Sequence, residues 1–297
     1  MSNHQQKILV TGANGQLGKA LQSIAGNYPQ FEFLYTDIDN LLIDDAVALT
    51  RYFDEHEFQF CINCAAYTAV DKAESEPEQA FLLNATAVGN LATNCNRKKV
   101  QLIHISTDYV FDGNGTIPYP ESATTHPTSV YGASKLKGEI LVQESAPDSI
   151  IIRTAWLYSE FGNNFVKTML RLMKEKESIN VVNDQIGSPT YAGDLAEAIM
   201  QMLQQSNALN QEPSANKIFH YCNSGIISWY DFAVAIQQHS KSNCQVNPVP
   251  SSAYLTAAKR PAYSVLDTKK IRETLSIPIP QWEGSLEKCL QRLPASA

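Results

Sequence analysis

The stretch Lys7–Gly18, "KILVTGANGQLG", decides how the rest of the chain is read. Ile8 to Val10 form a short apolar run with the look of a buried strand. The run ends in Gly12, Gly15 and Gly18, a G-x-x-G-x-x-G array, and Gln16 to Ala25 continues at helical spacing. Glycines at such a junction allow a tight turn and close approach of backbone to a pyrophosphate. The helix start adds unpaired N–H groups and the positive end of its dipole. A glycine pattern alone says little; the strand before it and the helix after it make it a dinucleotide loop.

The same alternation continues outward from that loop. "EFLYTD" (32–37) reads as a second strand and Asp45–Glu55 as a helix. "QFCINCAA" (59–66) is a third strand, Pro77–Arg97 a helix and "VQLIHIST" (100–107) a fourth strand. Ser129–Gln143 is again helical, and "SIIIRTA" (149–155) is a fifth strand. Strands rich in β-branched residues separated by helices imply βαβ units and a mostly parallel sheet. Beyond Trp156 the rhythm loosens: helices are expected at Asn164–Glu175, Tyr191–Leu203 and Trp229–His239, with a short strand at Asn180–Val182. A polar loop is expected over Asn207–Asn216 and a proline-punctuated region over Val246–Pro280.

The expected fold class is therefore α/β: a Rossmann doubly wound parallel sheet with a smaller C-terminal α/β substrate-binding domain. Residues 1–155 would form the dinucleotide-binding part, with some of 187–225 returning to it, and 156–186 with 226–297 the substrate part.

Among 297 residues, 44% are hydrophobic and 18% charged, which suits a globular chain with a sizeable core. A net charge of -7 argues against nucleic acid or an anionic membrane as partner. Met1–Lys7 is polar, without the apolar core of a signal peptide, and no run of 18 apolar residues suggests a membrane span. The expected compartment is cytoplasmic. Six spread cysteines do not resemble a disulfide framework, and the C-x-x-C of Cys61 and Cys64 has no second pair at zinc spacing. Both are expected as small buried hydrophobes, and no metal site is expected.

Two further motifs bear on chemistry. Asp37 closes the second strand 19 residues after Gly18. A carboxylate there can accept from the adenosine ribose and repel a 2′-phosphate, which favours NADH, although a neighbouring loop can still admit NADPH. Its other reading is a turn or N-cap aspartate. "NCAAYT" (63–68) ends the third strand in small residues, which suit a flat cofactor or plain helix packing equally.

At the fourth strand's end, "STD" places Ser106, Thr107 and Asp108 on the rim where α/β sheets bind ligands. In "VYGASKLKGE" (130–139), Tyr131 and Lys135 share one helical face. A lysine beside a phenol favours the phenolate and makes Tyr131 a candidate general acid for a ketone receiving hydride. Alone, such a pair is more often structural; the glycine loop and the hydroxyl rim give it a chemical setting.

Together these segments resemble the extended short-chain dehydrogenase/reductase superfamily, within it the branch of dTDP-4-dehydrorhamnose reductases. "TGANGQLG", "AAYTAVDKAESEPEQAFLLNATAVGNLA", "STDYVFDG", "YGASKLKGE" and "RTAWLYSEFGNNFVKTML" carry the resemblance, and "VVNDQIGSPTYAGDLAEAI" and "KRPAYSVLDTKKI" extend it. It implies hydride delivery from NADPH or NADH to C4 of dTDP-4-dehydro-β-L-rhamnose. Tyr131 would donate the proton, Lys135 would hold the nicotinamide ribose and depress the tyrosine pKa, and Thr107 would orient the reacting oxygen.

Gly15, Gln16 and Leu17 match the pyrophosphate loop, and Ala66, Tyr67 and Thr68 the cofactor-side strand end. Asp108 and Trp156 match positions near the sugar. Arg260 matches a cation for the nucleotide diphosphate, or is a plain surface arginine. Leu42-Ile43 stand where relatives carry an aspartate for adenine, so contact there would be apolar or through backbone. The first helix, "GKALQS", lacks the carboxylate of a metal-bridged dimer, and a monomer or weak homodimer is expected. Rival readings are a nucleotide-sugar dehydratase or epimerase on the same fold, and a non-catalytic NADP-binding subunit like the β subunit of methionine adenosyltransferase. Against the dehydratase, Thr107 is followed by Asp108-Tyr109 rather than Asp-Glu.

Overall fold

The computed structural model describes residues 5–206 and 217–293; the loop expected over 207–216 lies outside them. The chain opens with β1 (Gln6–Thr11), α1 (Gln16–Ile24), β2 (Phe31–Thr36), α2 (Ala46–Glu55), β3 (Phe60–Asn63), α3 (Val70–Ala73) and α4 (Pro77–Phe81). It continues with α5 (Ala87–Lys98), β4 (Gln101–Thr107), α6 (Val130–Ser145), β5 (Ile150–Thr154), β6 (Leu157–Tyr158) and α7 (Phe165–Glu175). Then come β7 (Ser178–Val182), β8 (Ile186–Gly187), β9 (Thr190–Tyr191), α8 (Ala192–Gln204), β10 (Ile218–His220) and β11 (Ile227–Ser228). α9 (Trp229–Ser240), β12 (Gln245–Val249), α10 (Lys269–Leu275) and α11 (Trp282–Arg292) complete it.

Six strands make one all-parallel sheet in the order β10-β5-β4-β3-β1-β2. Pleating sorts its side chains into two layers. Ile8, Val10, Ile62, Ile103, Ile150 and Ile152 pack on one face with α1 and α8. Leu9, Cys61, Leu102 and Ile151 pack on the other with α2, α5 and α6. Ile8, Leu9 and Val10 are fully buried, each contributing about 1.5–3 kcal/mol relative to exposure. Burial on both faces is why these strands read as continuous apolar runs. Strand order reverses between β1 and β3, and that reversal opens a crevice at their carboxyl ends. The doubly wound α/β sheet expected from the sequence is present.

The smaller core joins α7, α9, α11, β7 and β12, with Tyr158, Met169, Phe232, Trp282 and Leu286 buried in it. Its helices are capped by Asn164, which accepts from Lys167 N, and by Ser228 with Asp231 in a capping box. β10 pairs with β5, and α8 packs against α1, so part of the later chain returns to the large sheet.

The structure differs from the expected elements in three places. The helix expected over 77–97 is broken by a π-turn at Leu82–Thr86. There the Asn84 side chain accepts from Tyr67 N (2.8 Å) and donates to Tyr67 O and Ser134 Oγ (both 3.0 Å). β12 contains Pro248 and stands at the edge of a two-stranded pair with β7, where the lost donor does no harm. α11 starts after Pro280 with Gln281 as its N-cap, beyond the proline-punctuated region, and is not among the helices expected from the sequence. Among the described residues no helix is long and apolar enough to cross a membrane.

Two glycines of opposite setting test this packing. A methyl on Gly138 of α6 would collide with the Asn84 carbonyl, whereas one on Gly284 of α11 meets nothing within 4 Å. Gly138→Ala should lower stability in urea denaturation by about 1–3 kcal/mol. Gly284→Ala should raise it by about 0.5–1 kcal/mol, since the exposed helix site loses glycine's chain entropy.

Candidate active site

A cleft of ≈ 950 Å³ lies across the carboxyl ends of β1, β3, β4 and β5. It has three stretches: a mostly apolar end, a glycine turn and a polar end.

The glycine turn joins β1 to α1. Gly12 has φ +64°, and a methyl there would sit 2.5 Å from Ala65 N, so the turn demands glycine. Gly15 stands at the N-cap of α1 without a side-chain cap, which leaves the first helical amides to a ligand in the cleft. Gly12, Gly15, Gln16 and Leu17 line the cleft. Gly18 lies behind it, where a methyl would press 2.6 Å from Ala13 O. The Gln16 amide reaches across, accepting from Ser159 Oγ and Asn164 Nδ2 (both 2.9 Å). An uncapped helix start behind glycines of this kind fits a pyrophosphate.

At the apolar end Ile38, Leu41, Leu42 and Ile43 face the cleft with Asp37 and Asp44. Asp37 accepts from Asn14 N (2.7 Å) and Ile38 N (2.8 Å), so it tightens its turn as well as facing the cleft. The turn role left open by the sequence is present, and the side chain also stands in the cleft wall. Cys64, Ala66 and Thr68 line the next wall. Tyr67 does not, because its hydroxyl turns away to Glu76 (2.8 Å). The expectation of two buried cysteines also needs correction: Cys61 is buried but Cys64 is half-buried in the cleft wall.

The polar end is assembled by β4 and α6. Ser129 caps α6 by accepting from Gly132 N (3.1 Å), which fixes where Tyr131 and Lys135 emerge. Thr107 ends β4; its hydroxyl donates to Asp108 Oδ1 (3.0 Å) and accepts from Tyr109 N (3.2 Å). Burial pushes the Asp108 carboxyl up to about 6. Its Oδ2 has no hydrogen-bond partner among the described residues. The Ser264 hydroxyl is near enough to temper that shift without reaching hydrogen-bond geometry.

Trp156 follows β5 with φ +48°, a strained conformation for a large side chain, and stacks on Trp229 at 3.6 Å between centroids. Thr107, Asp108, Tyr131, Lys135 and Trp156 all line this end.

The expected electrostatics of the Tyr131–Lys135 pair need correction. Lys135 is 2% exposed and donates to the Ile105 carbonyl (2.7 Å) rather than to the phenol. Burial raises the Tyr131 pKa above its ordinary value, opposed by the Thr107 hydroxyl and reinforced by Asp108 and Tyr109. Burial also pushes Lys135 down to about 8, while Glu139 pulls it up. The phenol is thus held protonated, the state required of a proton donor.

Arg260 is outside the lining: it pairs with Asp71 (2.5 Å) and donates to the Tyr109 hydroxyl (3.1 Å). Residues not anticipated include Asn84, which ties the Tyr67 backbone to α6, and Glu139, the next residue on the Tyr131–Lys135 face. Four-residue spacing was the available signal for Glu139; nothing local marks Asn84.

The family model described as RmlD substrate binding domain matches residues 6–294. A dTDP-4-dehydrorhamnose reductase of Aggregatibacter actinomycetemcomitans is 40% identical over 287 residues, covering 95% of this chain and 97% of its own. Another, of Escherichia coli, is 40% identical over 296 residues, covering 96% and 97%. The crystal structure of dTDP-4-dehydrorhamnose reductase from Bacillus anthracis in complex with NADP superposes with TM-score 0.90 at 38% identity, covering 97% of this chain and 99% of that one. With its sheet, cleft and near-complete match in length, the chain belongs to the dTDP-4-dehydrorhamnose reductase family.

Proposed function

We propose that the chain is an oxidoreductase that reduces the C4 ketone of dTDP-4-dehydro-β-L-rhamnose to dTDP-β-L-rhamnose with NADPH or NADH. The observation that carries this reading is the meeting of Thr107, Tyr131, Lys135 and Trp156 at one end of the cleft that holds the glycine turn. Family membership supplies the substrate class.

Gly12, Gly15 and the amides of Gln16 and Leu17 would hold the pyrophosphate, with Gly18 supporting the turn from behind. Asp37 would accept from the adenosine ribose, Leu42 and Ile43 would cover the adenine, and Ala66 and Thr68 would flank the nicotinamide half. Tyr67 contributes through its backbone, which Asn84 clamps. The reduced nicotinamide supplies a hydride.

Tyr131 gives its hydroxyl proton to the C4 oxygen as the carbonyl becomes an alcohol. Thr107 orients that oxygen, and the Lys135 ammonium, which would exchange the Ile105 carbonyl for the nicotinamide ribose, favours the phenolate left on Tyr131. Asp108, with an acceptor still open, and Trp156 would hold the sugar. Arg260 would reach the diphosphate by exchanging Asp71 for phosphate. Residues 1–155 with part of 187–225 would serve the cofactor, and 156–186 with 226–297 the sugar nucleotide. The chain would work in the cytoplasm as a monomer or weak homodimer.

Supplied with the dTDP-keto-sugar, the protein should consume NADH or NADPH in a spectrophotometric assay. Tight cofactor binding with no absorbance loss would favour a non-catalytic subunit instead. Tyr131→Phe should lower kcat by about 10²–10⁴-fold while the NADH Kd by fluorescence titration stays within about threefold. Normal turnover by that variant would remove Tyr131 as proton donor. Among the described residues no cation lines the Asp37 end of the cleft, so NADH should be the better cofactor. Asp37→Ala should move the ratio of kcat/KM values toward NADPH by about tenfold, equivalent to about 1.4 kcal/mol; an unchanged ratio would show that Asp37 serves only its turn.

A further inference from the structure

Tyr131, Lys135 and Glu139 follow one another at four-residue spacing along the face of α6 that meets β4 and β5. Glu139 is 1% exposed and lies directly behind Lys135. Arg153 of β5, 3% exposed, grips it with two hydrogen bonds, Nε to Oε1 at 2.9 Å and Nη2 to Oε2 at 2.7 Å. Ser106 of β4, the residue before the reacting Thr107, donates to the same carboxylate (2.5 Å). The buried carboxylate is thus ion-paired directly with Arg153, while Lys135, one helical turn away on the same face, lines the cleft and lies beyond ion-pair distance of it. A scaffold that needed only a packed core would gain as much from apolar residues here.

We propose that Glu139, held by Arg153 and Ser106, is a positioning residue that keeps Lys135 charged in the dry floor of the cleft and so sets the upper pH limit of the reaction. This rests on the role given to Lys135 above. The other groups around Lys135 cannot supply the balancing charge. His104 of β4 is kept neutral by burial and by Lys135 itself. The Cys64 thiol after β3 is pushed up by burial, and Tyr131 is held as the phenol. On β4 the Ile105 carbonyl and Ser106 are uncharged. Behind Arg153, His220 is driven down to about 3 by burial and by the guanidinium. Glu139 therefore faces Lys135 as the one near carboxylate among the described residues, and Arg153 partly cancels it.

The two members of the pair should then act with opposite sign. Active enzyme needs the Lys135 ammonium, so activity falls as pH rises through its pKa. Glu139→Gln should move the alkaline limb of kcat/KM to lower pH, and Arg153→Gln should move it to higher pH. The Glu139→Gln shift should be about one unit, or about tenfold in rate at a fixed pH on that limb, and the Arg153→Gln shift smaller, because Arg153 stands beyond Glu139 as seen from Lys135. A ¹⁵N-lysine NMR titration of the full chain with NADH bound, with Lys135→Met assigning the resonance, should show the same shifts without turnover.

If both variants lose thermal stability while the limb and the Lys135 titration stay put, Glu139 is only structural and the proposal falls. If a single variant fails to fold, the double variant Glu139→Gln/Arg153→Gln leaves no orphaned charge. It must still move the Lys135 titration downward, and an unmoved titration overturns the proposal. Lys135→Met retaining full turnover would instead sink the catalytic reading, while the NMR shifts would still decide the electrostatic one.

Discussion

The close seating of α6 on the turn after β4 and on the π-turn at Leu82–Thr86 is the constraint on which the polar end of the cleft depends. A methyl on Gly132 would collide with the Tyr109 carbonyl, and one on Gly138 with the Asn84 carbonyl. Ser134 between them is fully buried and accepts from Asn84. Only residues this small let the helix axis lie near enough to the strand ends. From that distance a tyrosine reaches the rim and a lysine reaches the Ile105 carbonyl. The π-turn at Leu82–Thr86 belongs to the same fit, since it places the Asn84 carbonyl against Gly138 and its amide against Tyr67.

Closeness also makes this region dry, and dryness governs its charges. Lys135, Glu139, Arg153 and Asp108 are all at most 3% exposed. Such burial costs several kcal/mol per ion unless partners compensate. Glu139 and Arg153 compensate each other at 2.7 Å, whereas Asp108 is left with an open acceptor and a raised pKa. An unmet buried acceptor beside Thr107 and Tyr131 suits a sugar hydroxyl. The same low dielectric holds the phenol protonated.

Much of the scaffold was legible because its rules are local. Short continuous apolar runs, rich in β-branched residues, marked the sheet strands, and glycine spacing marked the turn before α1. The helices expected from Ser129 and Asn164 do begin there, each capped by that residue's side chain. The site was legible to the extent that its residues lie on one element, as Tyr131 and Lys135 do. Reading failed where partners come from far along the chain. Nothing near Asn84 shows that it will clamp Tyr67 and Ser134, and nothing near Arg260 shows that Asp71, 189 residues away, will hold it. Tyr67 matched a cofactor position by motif, yet its hydroxyl bonds Glu76 instead.

Residue types and their periodicity were enough to determine a doubly wound sheet, a dinucleotide turn and a tyrosine–lysine face, since each follows from backbone sterics or side-chain spacing within about ten residues. The protonation of that pair was not determined this way. A pKa depends on how much water is excluded and which charges stand nearby, and both are set by segments that meet only after folding. Spacing alone suggested a lysine lowering a tyrosine. Tertiary packing turned the lysine to the Ile105 carbonyl, dried the phenol, and set behind the lysine a carboxylate held from β5.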